Sequence, residues 1–441
     1  MCKTISEKTN GLTGRLKIPG DKSISHRALI LGAIAEGTTK INGLLESEDV
    51  LNTARALRKL GAEINKDDSG AWTVKGTETF KQPDSVLDMG NSGTGVRLLM
   101  GLLAPCPIRV CLTGDSSLCS RPMKRITDPL SQTGVFFQTT NGKLPITMQG
   151  HADDRPFRYV MPVASAQLKS ALLLAGLRKQ QETVICEPVA CRDHTERMLK
   201  AFGADISAEK NADNVNVITL RGGRRLKACS VFVPADISSA AFALVAALIT
   251  DNSDITVKNV GINPLRTGIL DVLLEMGADI RFENKREIAG EPVADLRARS
   301  SKLKGINVPA QTAPSMIDEY PILAVAAAFA EGETILNGLS ELKVKESDRF
   351  RAIIDGLNKN GVKCAETGGD SIRISGFGKK PCGGGLIEAK LDHRIAMSFM
   401  VMGMASENPV YIDDVSSVAT SFPEFIPLMN TAGANIHDYC D

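Results

Sequence analysis

The sequence lacks the features that mark membrane, secreted and nucleic-acid-binding proteins. No apolar run reaches about 18 residues without a charged or polar break, so no membrane-spanning helix is expected. The N-terminus enters polar sequence at once and has no apolar signal-peptide core, which predicts a cytoplasmic protein. The formal net charge is only +1, so no field over the whole molecule attracts nucleic acid or a membrane. Any anionic ligand must therefore be bound by a local cluster of cations.

Patterns typical of metal sites and disulfide frameworks are missing as well. The ten cysteines are scattered, and none belongs to a C-x-x-C pair. Four residues separate Cys106 from Cys111, and four also separate Cys186 from Cys191, but no histidine pattern completes a zinc site. The five histidines include no H-E-x-x-H pair. We therefore expect reduced thiols and no metal ion.

What the sequence does contain is internal repetition. The chain has 441 residues, which is long for one hydrophobic core and favours two domains. An apolar helix face, then glycine, then a small residue or valine and an alternating strand recur at intervals of between 69 and 84 residues. Glycine ends a helix in this context, because it adopts the left-handed conformation without a Cβ penalty. The six glycines are Gly61, Gly134, Gly203, Gly277, Gly361 and Gly433.

Each repeat also begins alike, with a polar cluster that leads into an apolar helix. Ser, Asp and Asn are N-cap residues, and helices that are apolar on most sides are expected to be buried. We predict six units, each reading strand, buried helix, strand, surface helix, strand, in two domains with a boundary near residue 233. If the buried helices of a domain are parallel, their N-termini emerge on one face, and two such faces would suit a polyanionic ligand. The clusters begin at Asp21, Asn91, Ser165, Asp236, Asp318 and Asp392.

Two of these clusters contain residues that indicate a ligand. The first places Lys22 and Ser23 at a helix start, with Arg27 about one turn further on the same face. The helix dipole disfavours a cation at this end, so Lys22 indicates an anionic ligand, whereas His26 fits a structural role at least as well as a catalytic one. The second, Gly90–Arg97, fits neither a Walker A motif nor a dinucleotide fingerprint, yet its glycines would let a ligand touch the backbone.

The other charged segments leave alternatives open on residue types alone. The basic turns around Arg121 and Arg192 are either solvated surface or ligand contacts. Residues 343–349 combine two acids with three bases. Asp318 precedes an almost wholly apolar helix, where it is either a plain N-cap or a positioned base.

Taken together, these motifs resemble the enolpyruvylshikimate-phosphate synthase family of enolpyruvyl transferases. The resemblance runs from about Leu12 to Ala432 and implies a two-domain inside-out α/β barrel of six βαβαβ-type repeats. It implies an N-terminal domain of residues 21–232, a C-terminal domain that combines 1–20 with 233–441, and an active site in the interdomain cleft. The motifs occur in the family order and are P-G-D-K-S-I-S-H-R, G-N-S-G-T-G-x-R-L, S-x-R-P-M, S-A-Q-L-K-S, M-I-D-E-Y-P, V-K-E-S-D-R and D-H-R-I-A-M-S.

The resemblance also implies the residues that contact substrate. Contacts to shikimate 3-phosphate are implied for Lys22, Ser23, Arg27, Ser165, Gln167, Arg192, Asp318 and Lys345. Contacts to phosphoenolpyruvate are implied for Lys22, Gly93, Arg121, Gln167, Arg349 and Arg394. The arginines suit this role because guanidinium groups match carboxylate and phosphate oxygens.

The reaction that the resemblance implies needs no metal or organic cofactor. The 5-hydroxyl of shikimate 3-phosphate adds to C2 of phosphoenolpyruvate while C3 is protonated, and phosphate then leaves as C3 returns a proton. We expect Asp318 to be the base for the hydroxyl and Glu346 to be the proton shuttle at C3. Lys22 is expected to neutralise charge and to share in proton transfer.

Two positions depart from the family pattern. Thr420 and Ser421 precede the phrase F-P-E, where the other main branch of the family has a lysine that reaches the phosphate. The glycine-rich loop reads Ser92-Gly93, whereas glyphosate-tolerant members of this branch have Ala-Ala. Because Gly93 has no Cβ and leaves room beside the loop, we expect glyphosate to inhibit this enzyme.

Two other functions remain open from the sequence. The sister transferase that acts on UDP-N-acetylglucosamine is expected to have a Lys-Asn pair at its first cap and a catalytic cysteine. Here the cap is Lys22-Ser23, and the nearest candidate cysteine is Cys119. A non-catalytic sensor of shikimate phosphates would not keep Asp318 and Glu346, because carboxylates hinder anion binding. We expect a monomer with small-molecule substrates and neither a nucleic-acid nor a membrane partner.

Overall fold

The computed structural model of the protein describes residues 3–288 and 290–439. Short 3-10 turns occupy Ala310–Thr312, Ser340–Val344 and Ser416–Thr420. The α-helices are α1 (Lys22–Gly32), α2 (Glu48–Lys59), α3 (Gly93–Leu103), α4 (Ser116–Ser120), α5 (Lys124–Ser131), α6 (Ala166–Gly176), α7 (His194–Ala201), α8 (Ile237–Ile249), α9 (Gly268–Glu275), α10 (Ala313–Met316), α11 (Tyr320–Phe329), α12 (Arg349–Lys359), α13 (His393–Gly403) and α14 (Phe425–Thr431).

The β-strands fill the segments between the helices. They are β1 (Lys3–Glu7), β2 (Thr13–Leu16), β3 (Thr38–Asn42), β4 (Glu63–Lys66), β5 (Trp72–Lys75), β6 (Leu87–Asp88), β7 (Arg109–Thr113), β8 (Phe136–Thr140), β9 (Lys143–Gln149), β10 (Phe157–Val160), β11 (Glu182–Glu187), β12 (Asp205–Lys210), β13 (Asn216–Arg221), β14 (Ser230–Phe232), β15 (Asp254–Gly261), β16 (Asp279–Ile288), β17 (Glu291–Arg299), β18 (Asn307–Val308), β19 (Glu331–Leu336), β20 (Lys363–Thr367), β21 (Ser371–Phe377), β22 (Leu386–Ile387), β23 (Val410–Ile412) and β24 (Asn435–Tyr439).

The strands form six four-stranded sheets within the described residues, which confirms the predicted sixfold repeat. In the sheet of β6, β7, β9 and β8, the short β6 pairs in parallel with β7, and the two further pairings are antiparallel. The sheet of β10, β11, β13 and β12 has the same pattern, as does the sheet of β18, β19, β21 and β20. One supersecondary unit therefore recurs along the chain, as expected of a repeat architecture.

The predicted helix stops are confirmed by the backbone angles. All six repeat glycines have positive φ, between 80° and 114°. At Gly61, for example, the N–H donates to the carbonyl of Arg58 after α2 has ended, so an orphan carbonyl of the last turn gains a partner. A side chain at these angles would strain the backbone, which is why glycine recurs where a surface helix turns into a strand.

Most of the predicted caps are also present at the buried helices. The side chains of Asp21, Ser92, Ser165, Asp236 and Asp392 each accept a hydrogen bond from an N–H of the first turn. At α11 the plain N-cap reading of Asp318 is wrong, because the cap position is Glu319 and no side chain caps this helix. The Asp318 carboxylate instead pairs with Lys345 and Arg349, whose full charges attract it more strongly than a helix N–H does.

The chain divides by its contacts into two compact units. The continuous unit comprises Gly20–Val233 together with Ile288–Glu291, and its apolar core surrounds the buried helices α1, α3 and α6. The split unit comprises the residues up to Pro19, Pro234–Glu287 and the residues from Pro292 onward. Its core surrounds α8, α11 and α13.

Each unit contains three of the six sheets. The split unit joins both ends of the chain, because β1 pairs antiparallel with both β23 and β24, while β2 pairs in parallel with β15. Every residue of α8 is buried, as its apolar sequence predicts. None of the helices in the described part of the chain has the length and hydropathy that crossing a bilayer requires.

Candidate active site

The start of α1 holds the first predicted ligand residues of the continuous unit. The Lys22 Nζ lies 2.8 Å from Oδ2 of Asp49, which α2 carries in its first turn. The Lys22 side chain is 17% exposed, and the Asp49 side chain is 8% exposed. Lys22 therefore lies at the N-terminus of a buried helix and is still partly exposed to solvent. The carboxylate of Asp49 holds its amine in place.

Arg27 lies one turn further along α1 and is almost fully buried. Its Nε donates to Thr195 Oγ1 at 2.6 Å, its Nη2 to Ser170 Oγ at 2.7 Å, and its Nη1 to the Ser23 carbonyl at 2.9 Å. The pKa of Arg27 is lowered to about 10, mainly by burial; Glu196 and Asp21 oppose this shift, and the positive charge of Arg192 adds to it. Arg27 thus connects α1 with α6 and α7, in the electrostatic range of Arg192.

Gly93 is the first residue of α3, and two guanidinium groups lie against it. A Cβ at this position would lie 2.8 Å from Nη1 of Arg121 and 2.9 Å from Nη1 of Arg97. Arg121 is itself buried and donates from Nη2 to Oδ1 of Asn91 at 2.6 Å. The absence of a side chain at Gly93 therefore allows two cations to approach the start of α3.

Gln167 connects this loop with α6. Its Oε1 accepts from Arg97 Nη1 at 3.1 Å, and its Nε2 donates to Thr94 Oγ1 at 2.9 Å. Both polar atoms of the amide are thereby oriented, two residues after the Ser165 cap. We call the predicted ligand residues of the continuous unit the basic group, defined as Lys22, Ser23, Arg27, Gly93, Arg121, Ser165, Gln167 and Arg192.

His26 lies between these cations but on the buried side of α1. Its Nδ1 lies 2.9 Å from Thr53 Oγ1. Burial holds the pKa of His26 well below the usual value, and the charges of Lys22 and Arg27 lower it further. A neutral, enclosed imidazole fits the structural alternative for His26 and adds no positive charge to the basic group.

The split unit gathers the remaining predicted residues around Asp318. Oδ1 of Asp318 lies 3.0 Å from the Lys345 amine and 3.5 Å from Nη1 of Arg349. The Asp318 side chain is 16% exposed, so one carboxylate both meets two cations and reaches solvent. We call Asp318, Lys345, Glu346, Arg349 and Arg394 the ion-pair group.

Arg349 is the centre of the ion-pair group and is 1% exposed. Its Nε lies 2.8 Å from Oδ2 of Asp392, and its Nη2 lies 2.5 Å from Oε2 of Glu346. Burial by itself would lower the pKa of Arg349, but the carboxylates of Asp392, Glu346 and Asp318 outweigh burial and raise it. Arg349 is therefore a permanent cation, held in one orientation from several sides.

Arg394 completes this group from the first turn of α13. Its Nη1 donates to the Asp318 carbonyl at 3.1 Å and lies 3.6 Å from Oε1 of Glu319. Glu319 is buried, and each of its two carboxylate oxygens accepts a hydrogen bond from Nη1 of Arg266 at 3.0 Å. A second, deeper ion pair thus supports the Asp318–Glu319 turn and the guanidinium of Arg394.

Sequence reasoning missed several residues that hold these side chains. Asp49 touches Lys22, but an acid in the first turn of a surface helix gives no signal by itself. Arg97 belongs to the glycine-rich motif that the sequence indicated, but its contact with Gln167 was not predicted. No sequence pattern predicts the ion pair between Arg266 and Glu319. The described residues contain no group of three or more His, Cys, Asp or Glu placed to hold a metal ion, and the cysteines from Cys106 to Cys382 are free thiols.

Comparisons with known proteins agree on one family. Residues 6–429 match the family described as EPSP synthase (3-phosphoshikimate 1-carboxyvinyltransferase). A protein of Nitrobacter winogradskyi named 3-phosphoshikimate 1-carboxyvinyltransferase is 55% identical over 438 residues, which cover 98% of this chain and 97% of that protein. A protein of the same name from Paramagnetospirillum magneticum is 54% identical over 440 residues, with 99% and 98% covered.

Solved structures agree with this assignment. The EPSP synthase from Acinetobacter baumannii has a TM-score of 0.87 and 45% identity, with both chains fully covered. The enolpyruvyl transferase NikO from Streptomyces tendae has a TM-score of 0.77 at 19% identity over 99% of both chains, which is evidence for the fold alone. The predicted fold class and the resemblance drawn from the motifs are confirmed, and the chain belongs to the EPSP synthase (3-phosphoshikimate 1-carboxyvinyltransferase) family.

Proposed function

We propose that this chain transfers the enolpyruvyl group of phosphoenolpyruvate to the 5-hydroxyl of shikimate 3-phosphate and releases phosphate. The observation that carries the proposal is the ion-pair group, in which Asp318 and Glu346 lie among three cations and retain partial exposure. Family membership supports the same activity. The product places the enzyme in the shikimate pathway, which leads to aromatic amino acids.

The reaction is an addition followed by an elimination. The 5-oxygen bonds to C2 of phosphoenolpyruvate while the hydroxyl gives up its proton and C3 gains one, which forms a tetrahedral ketal phosphate. The C2–O bond to phosphate then breaks as C3 loses a proton. We assign the base for the hydroxyl to Asp318, the proton shuttle at C3 to Glu346, and charge neutralisation with a share in proton transfer to Lys22.

The cations of both groups supply the electrostatic part of the site. We assign shikimate 3-phosphate to Lys22, Ser23, Arg27, Ser165, Gln167, Arg192, Asp318 and Lys345. We assign phosphoenolpyruvate to Lys22, Gly93, Arg121, Gln167, Arg349 and Arg394. Two phosphates and a carboxylate need this many donors, and the bidentate geometry of arginine suits them. The orientation of Arg349 by Asp392 supports its assignment, because a guanidinium that is already fixed loses little entropy on binding.

We further propose that the two units act as the catalytic domains and that both groups serve one pair of substrates. Shikimate 3-phosphate that binds residues of both groups would favour a closed arrangement of the domains. Small-angle scattering with saturating shikimate 3-phosphate should then give a smaller radius of gyration than the free protein. An unchanged radius, with binding verified by calorimetry, would count against this part of the proposal.

Four further properties belong to the proposal. Glyphosate is expected to compete with phosphoenolpyruvate, because Gly93 places no side chain of its own at the start of α3. The enzyme is expected to act as a monomer in the cytoplasm, with no metal or organic cofactor. Sedimentation of the purified chain tests whether it is a monomer, and fractionation of the source cells tests whether it lies in the cytoplasm.

One assay separates the proposed function from its rivals. The purified chain should release phosphate from phosphoenolpyruvate only when shikimate 3-phosphate is present. Phosphate release that requires UDP-N-acetylglucosamine instead would identify the sister activity, and Cys119, whose Sγ donates to the Gly114 carbonyl at 3.2 Å, would be the residue to replace next. Tight binding of shikimate 3-phosphate without any turnover would identify a sensor.

A further inference from the structure

A charged cluster lies beneath the basic group, in the part of α6 that packs into the core. Lys169 follows Gln167 by two residues on this helix and is 1% exposed. Its Nζ lies 2.9 Å from Oε1 of Glu187, 2.8 Å from Oε1 of Glu196 and 3.1 Å from the Cys191 carbonyl. Burial by itself would lower the pKa of Lys169, but Glu196, Cys191 and Glu187 outweigh it and raise the pKa, so the amine stays charged. Such a cluster is expensive to enclose, and apolar residues of similar size would stabilise the core as well.

The N–H, the thiol and the carbonyl of Cys191 all form hydrogen bonds within the cluster. The Cys191 N–H donates to Glu187 Oε1 at 3.0 Å, its thiol donates to the same oxygen at 2.7 Å, and its carbonyl accepts from Lys169. Burial raises the pKa of the Cys191 thiol to about 12, so it remains a donor at neutral pH. The backbone is therefore fixed at the residue before Arg192.

The same cluster controls a carboxylate near the guanidinium groups. Glu196 is the acid that acts most strongly on Arg27, on which Arg192 also acts. Oε1 of Glu196 is occupied by Lys169, while Oε2 is buried without a hydrogen-bond partner among the described residues. Without the amine of Lys169, the charge of Glu196 would act on Arg27 without a counterion, where it would compete with an anionic ligand.

We propose that Lys169 is a positioning residue for the binding of shikimate 3-phosphate. Through Glu187 and Cys191 it fixes the turn that carries Arg192, and through Glu196 it leaves the charge of Arg27 available to a phosphate. This inference rests on the proposed function, because it takes Arg192 to be a substrate contact. Lys169 itself touches no substrate.

The first test compares two buried lysines in the full-length enzyme. Lys169→Met should raise the KM for shikimate 3-phosphate about tenfold, the scale of a weakened charged hydrogen bond, while kcat and the KM for phosphoenolpyruvate change little. Lys179 is the matched control, because it is also buried and donates to two carbonyls, those of Asp153 at 2.8 Å and Arg155 at 3.1 Å, yet holds no predicted ligand residue. Lys179→Met should lower the unfolding temperature and leave both KM values unchanged.

The second test is a rescue that a purely structural role would not produce. Adding Glu196→Gln to Lys169→Met removes the competing charge, so much of the lost affinity for shikimate 3-phosphate should return. Adding Glu187→Gln should not restore it, because the anchor of Cys191 stays weakened. If Lys169→Met does not fold, the isosteric single variant Glu187→Gln still tests the inference and should raise the same KM.

Each outcome distinguishes the inference from the function on which it rests. Unchanged KM values for shikimate 3-phosphate in folded Lys169→Met and Glu187→Gln, with a raised KM in Arg192→Ala, would overturn the inference alone. An unchanged KM in Arg192→Ala as well would remove Arg192 from the substrate contacts and the inference with it. A wild-type enzyme that releases no phosphate would overturn the proposed function itself.

Discussion

The basic group and the ion-pair group hold their arginines in different ways. Arg27 donates its hydrogen bonds to neutral oxygens, those of Ser23, Ser170 and Thr195. Arg349 is instead surrounded by the carboxylates of Asp318, Glu346 and Asp392. Neutral hydrogen-bond partners orient a cation and leave more of its charge uncompensated, whereas carboxylates in contact with it cancel much of its field. The first arrangement suits a site that attracts anions, and the second suits a site that moves protons.

The largest effect is expected when the ion-pair group loses its candidate base. Asp318→Asn keeps the shape of the side chain but removes its basicity, so kcat should fall by about 10²–10⁴, the usual scale of lost acid–base catalysis. Binding of shikimate 3-phosphate, measured by calorimetry, should change much less. A turnover close to that of the wild type would show that Asp318 is not the base, and would contradict the idea that the ion-pair group moves protons.

The stability of the two units should respond differently to the loss of an arginine. Arg349→Gln leaves several buried or half-buried carboxylates without their cation, which should cost about 3–5 kcal/mol of unfolding free energy. Arg27→Gln removes hydrogen bonds to neutral groups and relieves the burial of a charge, so about 1–2 kcal/mol is expected. Urea unfolding followed by circular dichroism measures both. Equal losses would show that the two environments are not energetically distinct.

The pH dependence of stability tests the environment of His26, whose pKa is affected by Lys22 and Arg27 of the basic group. The pKa of His26 is lower in the folded protein than in the unfolded chain, so the unfolded chain binds more protons as the pH falls below about 6.5. The contribution of His26 is therefore fully present above that pH and is lost as the pH decreases, at up to about 1.4 kcal/mol per pH unit. His26→Gln should show a smaller loss of unfolding free energy between about pH 7 and pH 5 than the wild type. Parallel losses would mean that His26 titrates normally.

Much of the fold could be predicted from the sequence because its determinants are local. A helix cap such as Asp21 and a helix stop such as Gly61 act on the few residues around them, and six repetitions make the pattern visible. Motif order then predicted the candidate site residues of both units through the resemblance. The supporting contacts could not be predicted in the same way. Glu319 meets Arg266 from 53 residues away, and Lys169 meets Glu187 through packing that no local pattern records.

Asp318 illustrates where local reasoning fails. Its position before an apolar helix is typical of an N-cap, and only the placement of Lys345 and Arg349 decides that its carboxylate turns elsewhere. Propensity describes what a residue does when nothing distant competes, and ion pairs formed by tertiary contacts override it. Residues that break a local rule are accordingly good candidates for function, as Lys22 at a helix N-terminus also indicates.

The smallest effect is expected at Gly93, the residue of the basic group where we propose that glyphosate binds. A methyl group at this position would lie 2.8 Å from Nη1 of Arg121 and 2.9 Å from Nη1 of Arg97, so these guanidinium groups would have to shift. Arg121 is assigned to phosphoenolpyruvate, and Gly93→Ala should therefore weaken the substrate as well as glyphosate. Glyphosate has the longer chain and needs more of the space beside α3, so it should lose about tenfold more affinity than phosphoenolpyruvate. Paired inhibition curves, each at phosphoenolpyruvate equal to that protein's own KM, measure the difference. Equal inhibition of the two proteins, or a wild type that glyphosate hardly inhibits, would show that Gly93 does not decide between the two ligands.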